Sequence, residues 1–179
     1  MLRMLPKSVS GTRNEDDASM RKIGVAALAA VAAAGVAGTA GPAAARSSNE
    51  LATADCVTQW TGTVISGAEP GATDSGPNVI FAFEYAYYVQ RSGAAARAVV
   101  SPDATNIGSI EMIQNGIDAQ PVGSRYCVLI VPDGSSGGDD AWDVHVTQQY
   151  PDGQRTRYEE EVTTRATATG SLISGIYAR

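Results

Sequence analysis

From Trp142 to Thr147 apolar and polar residues alternate one for one, with Trp142, Val144 and Val146 set against Asp143, His145 and Thr147. Side chains of an extended chain point alternately to opposite faces, so this segment reads as a strand with one buried and one wet side. Pro151-Asp152-Gly153 then turns the chain, and Gln154 to Arg165 is expected to return antiparallel with Thr156, Tyr158, Val162 and Thr164 inward. Ser124 to Val131 is nearly all apolar, which implies cover on both faces, and Ser171 to Ala178 follows Gly170 as a last strand. Asp133 to Asp140 is expected to be a loose loop.

A sheet that is wet on one side needs a second layer on the other. Upstream, Ser75-Gly76-Pro77 is a helix start, with a capping hydroxyl and a proline whose missing N–H costs nothing in the first turn. Asn78 to Arg91 carries Ile80, Phe83 and Tyr87 at helical spacing, Gly93 bends or breaks it, and Ala94 to Val100 adds a turn or two. Ser109 to Ala119 is a second helix with Ile110, Ile113 and Ile117 on one face. Residues 56 to 66 have the β-branched content of an entry strand. The expected class is α+β, with helices packed on an antiparallel sheet of four or more strands.

Ahead of this domain, Met20-Arg21-Lys22 precedes 23 uncharged residues, Ile23 to Ala45, closing in Ala43-Ala44-Ala45. A basic start, an apolar run and small residues at the cleavage positions are the layout of a secretory signal. Glu15, Asp16 and Asp17 suit such a start poorly, which points to Met20 as initiator. Residues 1–45 are thus read as a leader, 46–55 as a flexible tether and 56–179 as one domain, secreted or held in the cell envelope. The alternative is an uncleaved anchor, since about 20 apolar residues span a bilayer. A lipid anchor is not expected, because Asp55 precedes Cys56.

Without the leader, 8 Arg face 16 Asp plus Glu, a net charge near −8. That balance repels phosphate backbones and anionic lipid heads, so nucleic acid is excluded as the main partner and a membrane enters only through an uncleaved leader. Arg155, Arg157 and Arg165 alternate along one strand face, but Glu159 and Glu161 share it and cancel the field. The two cysteines, Cys56 and Cys127, are expected to form a disulfide in an oxidising compartment, worth about 4 kcal/mol in the chain-entropy model. Two thiols and one distant His145 fall short of a tetrahedral metal set, so no metal or other cofactor is expected.

The succession Phe83-Glu84-Tyr85-Ala86-Tyr87-Tyr88, then Ser101-Pro102-Asp103, Ile117-Asp118, Tyr126-Cys127 and Tyr150-Pro151-Asp152-Gly153 resembles uncharacterised secreted domains of actinobacteria. These in turn resemble the NTF2-like superfamily. The resemblance covers about residues 54 to 178 and implies a curved sheet wrapped around helices as a cone. That superfamily includes isomerases, dehydratases, hydrolases and non-enzymatic binding domains, so the fold alone does not choose a function.

Strict alternation puts Glu160 inward between Tyr158 and Val162, and a buried carboxylate is costly unless it is paired. The alternative placement is a bulge that turns one member of Glu159-Glu160-Glu161 to solvent. Catalysis by an isomerase, dehydratase or hydrolase route would use Glu160, with Tyr158 or Tyr85 as proton donor. Ligand contacts would come from Phe83, Glu84, Tyr87, Trp142, Tyr158 and Glu160. His145 with Asp143 can be written as a base and its orienter, but the sequence ties no nucleophile to them, and a wet strand face explains both. Asp133, Asp139 and Asp140 lack the ordered ligand series of a calcium loop. The preferred expectation is a non-catalytic exported domain that binds a small apolar molecule or docks another exported protein, with a homodimer through the outer sheet face also open.

Overall fold

The structure is a computed structural model and describes residues 48–179. The expected leader lies outside the described residues. One antiparallel sheet holds six strands in chain order: β1 Gln59–Trp60, β2 Ile65–Gly67, β3 Arg125–Ser136, β4 Asp139–Gln149, β5 Arg155–Thr167 and β6 Gly170–Ala178. Between β2 and β3 come α1 (Gly76–Tyr85), a π-helical turn (Ala86–Gln90), α2 (Gly93–Ala98) and α3 (Ile110–Asp118). The architecture is α+β, a sheet with helices on one side.

The alternation sets the layers. Ile130, Val144 and Glu160 stand in one register row, and Val128, Val146 and Tyr158 in the next. The valines and Ile130 are fully buried, and they form the core with Val79, Ile80 and Phe81 of α1 and Ile113 and Ile117 of α3. Ser75 caps α1 as its residue type requires, its hydroxyl accepting from the Asn78 N–H at 3.4 Å. At Gly76 an added Cβ would lie 2.6 Å from the Trp142 ring, so only glycine lets the helix start so close to β4.

Four expectations are corrected. The entry strand is two short strands, because Thr61 closes a tight turn on Val64, its N–H donating to the Val64 carbonyl at 2.9 Å. The long helix leaves α geometry after Tyr85. Its π turn holds one extra residue and seats both Tyr87 and Tyr88 in the core, and it ends on Arg91 at φ 51°. The expected loop at 133–140 is mostly strand. Gly137 and Gly138, both at positive φ, close a two-residue hairpin, and a bulge at Pro132–Ser135 absorbs the proline and Gly134. Finally, β3 is not covered on both faces: Cys127, Leu129 and Val131 are only half-buried.

Local chain masks the β6 edge and the end of β3 that β2 leaves uncovered. Along β6, the Ile173 N–H donates to the Val99 carbonyl, the Ser101 N–H to the Ile173 carbonyl and the Asn106 amide to the Ile176 carbonyl. Along the end of β3 that β2 does not reach lies the stretch read as a tether. Ser48–Leu51 forms a 3-10 turn, Ala52 bridges Tyr126, and Cys56 joins Cys127 in the expected disulfide, Cα atoms 5.5 Å apart. Edges treated this way do not recruit stray strands.

Candidate functional site

The polar groups with catalytic potential collect in the layer between the helices and the inner sheet face. Glu84 comes from the last turn of α1 and is 2 % exposed; Glu160 comes from β5, inward as alternation requires, and is 5 % exposed. No bulge falls within Glu159–Glu161: β5 pairs with β4 without a break, and the one register shift against β6 lies opposite Thr163–Thr164, where Ser174 of β6 is the extra residue, so Glu160 stays in phase. Every buried side-chain nitrogen and oxygen among the described residues has a hydrogen-bond partner, so both carboxylates are accommodated within the fold.

Between them in chain order stands a residue that the sequence analysis did not single out. Tyr126 of β3 is fully buried, its ring stacks on Tyr88 with centroids 4.7 Å apart, and its hydroxyl donates to the Ala68 carbonyl at 3.1 Å. Burial, and then the electrostatic influence of Glu84, Tyr85 and Glu69, pushes this phenol well above its ordinary range. It keeps its proton and acts as a fixed donor. The Tyr88 hydroxyl donates to the Gln148 side-chain carbonyl at 3.1 Å, and the Gln148 amide donates in turn to Gln120. Both Tyr126 and Gln148 were reachable: carrying the parity of Val144 and Val146 one step further puts Gln148 inward, directly opposite Tyr126.

The remaining expected site residues divide by role. Phe83 and Tyr87 are buried, on α1 and the π turn, and the Tyr87 hydroxyl approaches Gly116 of α3. Trp142 is half-buried and tied down, its indole N–H donating to the Thr164 hydroxyl at 2.8 Å beneath the start of α1. Tyr85 and Tyr158 are half-buried. The helix–sheet layer therefore joins carboxylates, phenols and amides, a set able to hold and move a proton if a substrate reached it.

The outer face carries the other candidates. His145 Nε2 lies 3.2 Å from Asp143 Oδ2, so that pair does form, but its opposite nitrogen faces Glu159 at 3.8 Å and touches Arg157. The imidazole is less exposed than a wet face suggests, because these neighbours cover it. Arg155 pairs with Asp55, Arg165 with Asp103 and Asp139, and Arg179 with Asp133, Asp143 and Glu161. Asp133 and Asp139 thus serve as ion-pair partners, and among the described residues no group of three or more His, Cys, Asp or Glu could hold a metal ion. The arginine stripe is neutralised, but only Arg157 by the expected Glu159; Arg155 and Arg165 are paired with aspartates of other segments, and Glu161 pairs with Arg179.

A disulfide-closed α+β domain, with one meandering sheet and its acid groups sealed beneath helices, is the class that fold and site define. The chain belongs to a family of domains of unknown function, DUF8176, whose model matches residues 53–177. None of the curated proteins matches it, and neither does any solved structure.

Proposed function

We propose that this is an exported, non-catalytic domain of NTF2-like descent that docks another exported protein through the β1 end of its sheet. The observation that carries this is a contrast of exposure. The ionisable groups a chemistry would need are sealed, whereas Val57 and Trp60, at 62 % and 50 % exposure, stand three residues apart beside the disulfide. The Trp60 ring is backed by Phe81, centroids 5.8 Å apart, so it is a braced aromatic rather than a loose one. Glu69 joins this end of the sheet by accepting from the Thr58 hydroxyl at 3.1 Å, and the domain without the leader carries a net charge near −8. The partner that fits is a protein segment with an apolar anchor ringed by Lys or Arg. The disulfide suits an oxidising compartment, which supports export.

The test places a photo-crosslinking residue at Trp60 in the exported protein and, as control, at Thr169 on the opposite side of the sheet. The expected outcome is one adduct specific to the Trp60 position, lost at high salt, whose crosslinked peptide is basic around an apolar residue. An adduct pattern identical at both positions overturns the proposal.

A second possibility, a carboxylate–phenol enzyme of the isomerase, dehydratase or hydrolase type, is favoured by the burial of Glu84 and Glu160 beside tyrosines. It predicts that Glu160→Gln raises stability, since groups kept for chemistry are held at a cost to the fold. A structural Glu160 predicts a loss of about 1–3 kcal/mol, because its partners are left unsatisfied. Urea denaturation of the two proteins separates the outcomes.

A further inference from the structure

We propose that the Cys56–Cys127 disulfide is a redox latch on a strap, residues 48–57, and that its reduction uncovers the end of β3 while leaving the rest of the domain folded. β2 pairs with β3 only over Val128 to Ile130, so the backbone of Arg125 to Cys127 is an edge that another segment must cover. The strap covers it with few non-covalent ties. One backbone hydrogen bond runs from the Thr53 N–H to the Tyr126 carbonyl at 3.2 Å, and Ala52 makes an isolated bridge to Tyr126. Asp55 meets Arg155 at 2.8 Å, but both side chains are largely in water, where such a pair is weak and screened by salt. Thr53 is buried, but Leu51, Ala52 and Cys56 are only partly buried against the core. Further along, the Ser66 hydroxyl donates to the Val57 carbonyl at 2.6 Å, which fixes where the strap ends and the first hairpin begins. The covalent bond is therefore the strongest hold on the segment.

The opposite edge shows the contrast. β6 is masked by backbone bonds from Val99 and Ser101 and by the Asn106 side chain, with no disulfide involved. Reduction would consequently affect one edge and not the other. A dithiol supplies the two electrons and two protons: the S–S bond breaks, Cys56 and Cys127 become thiols, and the reductant closes to its own disulfide. The freed strand end, with N–H and C=O groups facing outward, is then open to strand addition. A chain in a reducing compartment carries its strap open, and oxidation closes it.

Hydrogen exchange read by mass spectrometry on the full chain, oxidised and after treatment with dithiothreitol, tests this. The expected result is exchange at residues 48–57 faster by about tenfold or more on reduction, with peptides of β4 to β6 unchanged. Unaltered exchange at 48–57 overturns the latch, because the strap then stays docked without it. Loss of protection throughout overturns it equally, because the disulfide is then a global staple. The double variant C56S/C127S, measured without reductant, must reproduce the local opening, and the far-UV circular dichroism of the reduced wild type must keep its folded signal, whose loss overturns the latch.

Discussion

The two faces of β4 and β5 are built from the same alternation and do opposite things. Inward, Val144, Val146, Gln148, Glu160 and Val162 are buried and every polar atom among them is partnered; outward, Asp143, His145, Arg157, Glu159 and Glu161 form ion pairs that water still reaches. Inside, a hydrogen bond cannot be exchanged for one to solvent, so each polar residue there constrains which fold is possible. Outside, the same residue types can be exchanged at little cost. The lesson is that the number of charged groups on a face says less about its energetics than the access of water to it. Glu160 and Glu161 are neighbours in sequence and belong to different regimes.

Substitutions on the inner face should show the largest effects. Tyr126→Ala removes a fully buried ring that stacks on Tyr88, and the expected loss is about 3–5 kcal/mol by urea denaturation. If the loss were under about 1 kcal/mol, the inner layer would be able to collapse around the gap and would not be the close-packed region described. Next, Gly76→Ala forces a methyl against the Trp142 ring and the Thr164 hydroxyl, for an expected cost of about 1–3 kcal/mol. The companion Gly134→Ala has open space around it but a φ of 85°, so its smaller cost comes from the backbone alone. Comparing the two by thermal unfolding separates overpacking from backbone strain.

This contrast also explains what the sequence could reveal. Parity along β4 and β5 placed Val144, Glu160 and their neighbours correctly, because a two-residue period survives in the letters whatever the partner strand is. Ser75-Gly76-Pro77 marked the start of α1 because capping is chemistry local to three or four residues. The failures were non-local. Pro132 and Gly134 read as loop because nothing nearby states that a bulge will absorb them within a hairpin. The π turn was hidden because it is selected by the fit of Tyr88 on Tyr126, two residues 38 positions apart. The strap read as a tether for the same reason: its partners are Tyr126, Cys127 and Arg155, and only the cysteine pairing left a trace in composition. Of the site, Glu160 and Tyr158 were legible by parity, while Tyr126 was not named as a site residue although its parity was equally plain.

The outer face should respond least, and mainly to pH. Asp103 is held down to about 2 from its ordinary 3.8, first by the Ser101 hydroxyl and then by the Arg165 guanidinium; the arginine beside Asp139 lowers that carboxyl as well. A carboxyl with a depressed folded-state pKa stabilises the fold above its unfolded value, and that contribution disappears as pH falls through the folded value. Part of the stability that the domain has at neutral pH should therefore be lost between about pH 4 and pH 2, with no counterpart on the alkaline side from these groups. Arg165→Met should flatten part of that segment of the pH profile and lower the neutral urea midpoint by the same amount, a small one because the pair is solvated and the Ser101 hydroxyl still holds Asp103 down. A neutral-pH loss as large as that from Gly76→Ala would mean that the Arg165 cluster behaves like the inner face. The division by water access would then fail at the end of β5, where the chain passes from one regime to the other.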